Sequence, residues 1–226
     1  MPIAEVGALA RDRGIIFLVD GAQTMGKLNI DVEAMNIDLL ACPGHKGLLG
    51  PQGTGFLYIR EGVELETMRE GGTGSLSESK IQPDFLPDRF ESGTLNGPGI
   101  AGLGAGVEFI IQEGQEKIAQ KEKALTIQLW EGLKKMEKVK LYGPGPSLPR
   151  TSVVSFNLEG LHCEDVGSIL DNAFNIEVRT GLHCAPGAHK SIGTFPKGTI
   201  RVSPGYFNTN ENIEALIQAV EELTRK

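Results

Sequence analysis

Two apolar runs of this chain end in reactive side chains. Ile15-Ile16-Phe17-Leu18-Val19 leads directly into Asp20-Gly21-Ala22-Gln23, and the stretch carrying Ile37, Leu39 and Leu40 leads into Ala41-Cys42-Pro43-Gly44-His45-Lys46-Gly47. A lysine that has lost its proton can attack an aldehyde, and burial together with a neighbouring positive charge, for which His45 is suitably placed, favours that state. A carboxylate at a strand end can lie against a ring nitrogen and keep it protonated, which makes the ring an electron sink. Each residue also has a plainer role open to it. Lys46 suits a solvated glycine turn, and Asp20 suits the cap of a following helix.

A third segment, Val178-Arg179-Thr180-Gly181-Leu182-His183-Cys184-Ala185-Pro186, sets a cysteine between a glycine and a proline. That setting fits an exposed loop in which a thiol can react and hand a group on. Arg201, in Ile200-Arg201-Val202-Ser203, offers a planar fork that matches a carboxylate with two parallel hydrogen bonds. The alternatives are a buried structural cysteine and ordinary strand-end arginines at the surface. Cys42 and Cys163 suit the buried role better, since they lie in or beside apolar segments.

The elements that must position these groups alternate between strand and helix. Residues 4–13 read as an amphipathic helix stopped by Gly14, and 15–19 as a parallel strand buried on both faces. A short helix near 31–35, a strand at 37–41 and a strand at 55–59 follow. Residues 61–98 are irregular, and a connection of that length usually serves a site or an interface. A long helical region starts at Gly99. After Tyr142-Gly143-Pro144-Gly145-Pro146, strands are expected at 139–141 on the near side and at 152–158, 175–179 and 199–203 beyond, with helices at 163–172 and 210–225. Asn208 or Thr209 can cap the last helix. The pattern is that of an α/β protein.

Composition narrows the function. The net charge of −7 provides no basic face for a nucleic acid. No apolar run approaches the length that spans a bilayer, and residues 1–5 resemble no secretion signal. A cytoplasmic protein with reduced thiols is therefore expected, as three cysteines without such a signal argue against a disulfide framework. Each cysteine has a histidine nearby, but there is no C-x-x-C pair, so a metal site is not expected. The glycine run at 102–106 lacks the full dinucleotide fingerprint and reads as close helix packing. The run at 50–55 lacks the lysine–serine/threonine end of a P-loop.

In order and spacing, Val19-Asp20-Gly21-Ala22-Gln23, Gly44-His45-Lys46, Gly53-Thr54-Gly55, Gly71-Gly72 and Phe90-Glu91-Ser92-Gly93-Thr94-Leu95-Asn96 resemble the class V aminotransferase family. Together with the Cys184 segment they resemble its cysteine desulfurase branch, over essentially the whole chain. The resemblance implies pyridoxal 5'-phosphate as cofactor, held covalently by Lys46, with Asp20 at the pyridine nitrogen, Gln23 at the ring hydroxyl and His45 near the phosphate. It implies that Thr94 reaches the phosphate of a partner subunit's cofactor, and hence a homodimer. Cys184 would take sulfur from L-cysteine as a persulfide and pass it to an acceptor protein. Arg201 would hold the substrate carboxylate, with Arg179 in support. A related lyase or aminotransferase, or a selenocysteine lyase, would not require Cys184.

The implied architecture is the C-terminal part of a fold type I enzyme, with residues 1–112 in the large cofactor domain and 113–226 forming a linking helix and a small α+β domain. Two departures from the family pattern bear on function. Pro43 stands where the family usually has a phosphate-binding serine, and proline lacks both the hydroxyl and the backbone N–H. The family's earlier segment, with its phosphate loop and ring-stacking residue, has no counterpart here, so a catalytically silent fragment is the remaining expectation.

Overall fold

The N-terminal periodicity becomes helix α1 (Ile3–Asp12), with Gly7 and Ala10 on its buried side. A computed structural model describes residues 1–225. The chain divides into two units, Met1–Glu116 and a second that starts at Lys117.

In the first unit, β1 (Leu18–Asp20), β2 (Leu39–Pro43) and β3 (Gly55–Ile59) form a three-stranded sheet in that order. β1 runs parallel to β2, and β3 runs antiparallel to it. The inner cluster of Val19, Ile37, Leu40 and Cys42 packs against Phe17, Met25, Ile30, Val32, Met35 and Tyr58. The expectation of a strand at 15–19 buried on both faces does not hold. β1 is an edge strand with only Val19 buried, and Ile15, Ile16 and Leu18 are each more than half exposed. Its outer side presents unpaired backbone groups and apolar side chains together.

The expected helix near 31–35 is a pair of turns. Asp31 Oδ1 accepts from Glu33 and Ala34 N–H, and Asn36 at φ 54° turns the chain into Ile37. Four residues between a capping aspartate and a left-handed asparagine are too few to repay helix nucleation. The next strand begins later than expected because Asp38 works as a clamp. Its carboxylate accepts from Phe17 N–H at 2.8 Å and Arg60 Nε at 2.5 Å, with Arg11 Nη2 at 3.6 Å. Four segments of the unit are thereby tied to one buried group.

Burial acts to raise the Asp38 pKa, but the Phe17 N–H and the Arg60 and Arg11 charges outweigh it and leave the carboxyl below its ordinary value. A lowered folded value means that the stabilisation is complete above the unfolded carboxyl pKa of about 3.9 and is lost as pH falls through the folded one. Asp38→Asn is expected to lower stability by about 1–3 kcal/mol at neutral pH. Urea titrations should show the two proteins converging as the solution is acidified.

β3 leads into irregular chain up to Asn96, whose side chain accepts from Gly99 N–H and opens α2 (Gly97–Glu113). The long helical region is two helices. Gly114 at φ 86° ends α2, and α3 (Gln115–Lys134) starts at the next residue.

The second unit is an antiparallel sheet with helices. β4 (Val139–Tyr142), β5 (Val154–Leu158), β6 (Arg179–Gly181) and β7 (Thr199–Val202) lie in the order β4-β5-β7-β6. Strict alternation in β5 turns Val154, Phe156 and Leu158 inward. They meet Leu125, Leu129 and Leu133 of α3, Val166 and Leu170 of α4 (Cys163–Phe174), and Ile213, Leu216 and Val220 of α6 (Asn210–Arg225). Thr209 caps α6 reciprocally: its Oγ1 accepts from Asn212 N–H while Asn212 Oδ1 accepts from Thr209 N–H.

The strand expected at 175–179 lies at 179–181 instead. Asn175 adopts φ 55°, ψ 42° as the left-handed cap of α4, so the chain cannot extend until later. A short helix, α5 (Pro186–Ser191), was not foreseen from the sequence. Among the described residues no helix is long and apolar enough to cross a membrane.

Candidate active site

Because β1 and β2 are parallel, they release their chains at the same edge of the sheet, the edge where α/β proteins bind ligands. Asp20 lies level with Ala41, and Gly21 N–H donates to Ala41 O at 2.9 Å. β1 then enters the Gly21–Gln23 turn and β2 the Gly44–Lys46 turn. The two turns interlock through Gly26 and Gly47. A methyl group on Gly26 would lie 2.2 Å from Gly47 O, and one on Gly47 would lie 2.2 Å from Met25 O. The lysine turn is closed by bonds from Gly50 N–H to Gly44 O and from Leu49 N–H to Lys46 O. α2 packs on it where Gly106 meets the backbone of Leu48 and Leu49.

Asp20 Oδ1 accepts from Ala22 N–H at 2.9 Å, which orients the carboxylate. No helix follows it, so the helix-cap role is not taken up. Asp20, Gln23, His45 and Lys46 share this edge and are all exposed. The expectation of a desolvated lysine is therefore corrected: no residue of this unit encloses Lys46. Cys42, whose Sγ lies against Gly21, is buried, and burial, then the Asp20 charge, push its thiol up against the opposing effect of Gly21 N–H. Thr94 lies elsewhere, in a cleft of about 650 Å³ with Gly72, Thr73, Ser77, Ser79 and Gly93. Gly93 N–H donates to Gly72 O, and Gln82 stitches the segment by accepting from Gly71 N–H and donating to Asp88 O.

In the second unit, β6 and β7 pair so that Arg179 and Arg201 stand directly opposite each other on one face. Like charges in that relation repel. No ion pair among the described residues involves either arginine, and Arg201 Nε is buried without a partner. Burial, then Arg179, lower the Arg201 pKa, with Cys184 acting the other way. Two guanidiniums on one face with no carboxylate between them form a receptor for an anion.

Leu182–Ala185 turns the chain beside this pair, with Ala185 N–H donating to Leu182 O at 2.8 Å. His183 at φ 50° and Cys184 at φ 60° occupy its two central positions, both left-handed, as in a type I′ turn. Cys184 is exposed, and Arg179 Nη2 lies 3.7 Å from its Sγ. Cys42 and Cys163 are buried.

His183 went unassigned in the sequence beyond its place beside Cys184. Its Nε2 lies 3.2 Å from Thr199 Oγ1, and its Nδ1 is buried without a partner. Burial, then the charges of Arg201, His189 and Arg179, lower its pKa to about 4 against the effect of Thr199. A neutral ring cannot serve as an imidazolium partner for the thiol, so the charge facing Sγ is that of Arg179. The unfolded chain takes up this proton first, near pH 6.5, so stability is full above that value and declines as pH falls toward about 4. His183→Gln should flatten that part of a urea-unfolding series against pH.

An α/β unit with a lysine turn at a parallel-strand edge is thus followed by an α+β unit with a thiol beside two arginines. The chain belongs to the aminotransferase class-V family, whose model matches residues 1–216. A probable cysteine desulfurase from Methanothermobacter thermautotrophicus is 38% identical over 227 residues, covering 98% of this chain and 56% of that protein. A cysteine desulfurase from Salmonella agona is 37% identical, covering 99% and 55%. Among solved structures, the apo cysteine desulfurase from Thermococcus onnurineus NA1 matches with a TM-score of 0.86 at 38% identity, covering 99% of this chain and 56% of that one. The cysteine desulfurase CsdA (S-sulfonic acid) from Escherichia coli also gives 0.86, at 26% identity, with 99% and 55% covered. The chain spans a little over half the length of these relatives.

Proposed function

We propose that this chain carries the lysine, the sulfur-accepting thiol and the substrate-carboxylate arginine of a cysteine desulfurase that uses pyridoxal 5'-phosphate. The exposed Cys184 thiol beside two arginines that have no carboxylate partner among the described residues carries the reading. The residues at the other site fit the cofactor as well. Asp20 is oriented through one carboxylate oxygen, leaving the second for a ring N–H, and Lys46 has no carboxylate partner among the described residues. When bound, the cofactor supplies an electron sink for the substrate's carbon centres.

Lys46 holds the cofactor and moves a proton at the substrate α-carbon. Asp20 keeps the ring nitrogen protonated, Gln23 bonds the ring hydroxyl, and His45 stands by the phosphate. Arg201 grips the carboxylate of L-cysteine and Arg179 faces the attacking sulfur. The Cys184 thiolate attacks the substrate sulfur, and a sulfur–sulfur bond forms as the substrate carbon–sulfur bond breaks. That bond's electron pair stays on the β-carbon, which takes a proton and leaves as the methyl group of alanine. The persulfide on the exposed turn is then open to an acceptor protein. Thr94, in its own cleft, serves the phosphate of a partner subunit's cofactor in a homodimer.

The test is to supply the chain with pyridoxal phosphate, L-cysteine and a reducing thiol, then measure alanine and sulfide. Equal amounts of both are expected. A second reading, that these residues by themselves are silent, is favoured by the exposure of Asp20 and Lys46 and by the share of the relatives' length covered. It predicts no product under the same conditions.

A further inference from the structure

We propose that His189 is a positioning residue for Cys184: anchored to Thr194 and packed on His183, it holds the turn that sets the thiol beside Arg179. This rests on the reading of Cys184 as the sulfur-accepting thiol. His189 is 4% exposed and Thr194 6% exposed, yet both are polar. Their side chains meet at 2.7 Å between Nδ1 and Oγ1. The same Thr194 Oγ1 also lies 3.4 Å from His189 O, so the hydroxyl faces both the ring nitrogen and the carbonyl of His189. Thr194 and Phe195 N–H both donate to the same carbonyl. The His189 ring is thus anchored through Nδ1 and its backbone through the carbonyl.

That ring lies 5.5 Å from the His183 ring, centroid to centroid, at a tilt of 46°. On another side His183 meets Thr199, which is fully buried in β7. His183 is thereby gripped between α5 and the sheet, and Cys184 is its neighbour in the chain. Two consecutive non-glycine residues in the left-handed region are each sterically disfavoured, so something outside the turn must hold them. The single bond from Ala185 N–H to Leu182 O closes the turn but does not fix either side chain. The lowered pKa of His183, to which His189 contributes, agrees with this close approach. Without the His189 ring, His183 loses one wall, the pair relaxes, and Sγ leaves Arg179.

The experiment needs neither cofactor nor turnover. The full chain is alkylated separately with iodoacetate and iodoacetamide, and the two rates at Cys184 are read by peptide mass spectrometry. Beside two guanidiniums the anionic reagent is favoured, so the iodoacetate-to-iodoacetamide ratio should exceed that of the urea-unfolded chain by at least about threefold. His189→Ala and Thr194→Val should both bring the ratio down to the unfolded value while the far-UV circular dichroism stays native. Thr194→Ser, which keeps the hydroxyl, should preserve it. A native ratio in either folded variant, His189→Ala or Thr194→Val, overturns the proposal, and so does loss of fold in Thr194→Val. If alanine release proves independent of Cys184 while the ratios behave as expected, the functional reading fails and the positioning role stands.

Discussion

Cys184→Ala is expected to reduce alanine release from L-cysteine by more than about 100-fold, because the nucleophile itself is removed. The other two thiols cannot substitute. Cys163 is buried and its Sγ donates to Lys197 O at 3.0 Å. Cys42 is buried beneath Gly21, where burial and Asp20 keep it protonated. Cys184→Ser should be nearly as damaging, since a hydroxyl keeps the turn but is a poor nucleophile toward sulfur. Alanine release at the full rate in Cys184→Ala would sink the desulfurase assignment. Selenide release from selenocysteine that persists in the variant while cysteine turnover is lost would support the selenocysteine lyase alternative.

Lys46→Ala is expected to eliminate the visible absorption band that forms when pyridoxal phosphate bonds to a lysine. Borohydride treatment of the unaltered protein should leave the reduced cofactor on the peptide containing Lys46, and on none containing the exposed Lys190 or Lys197. The expectation follows from the interlocked turns, which carry Lys46 to the strand edge it shares with Asp20. A band that survives the substitution would place the attachment elsewhere. No band in the unaltered chain would favour the silent reading, since the Asp20 and Lys46 side chains are open to water on the residues described.

Much of this was legible in the sequence where a local rule governs. Lys46 and Asp20 could be placed at strand ends because apolar runs precede them and glycines follow, and the glycines proved to be where the two turns touch. The helix at 210–225 showed its periodicity and a cap in Asn208 or Thr209, of which the fold uses Thr209. What stayed hidden depends on partners distant in sequence. Ile176 and Val178 look like strand, yet Asn175 delays extension until Arg179. That delay matters for the site, because it is the 179–181 register that sets Arg179 opposite Arg201. Nor does any residue preference reveal a left-handed pair made of histidine and cysteine, so the grip on His183 emerged only from the folded chain.

The facing of Arg179 and Arg201 has a thermodynamic side. β6 is three residues long and meets β7 on one edge only, so its pairing has little to set against the repulsion between the two guanidiniums. An anion lodged between them removes that repulsion, so ligand occupancy and the order of this sheet edge are two readings of one equilibrium. The strand beside the Cys184 turn would then be firm when a carboxylate is held and looser once it has gone, which would couple departure of the bound carboxylate to freedom of that turn.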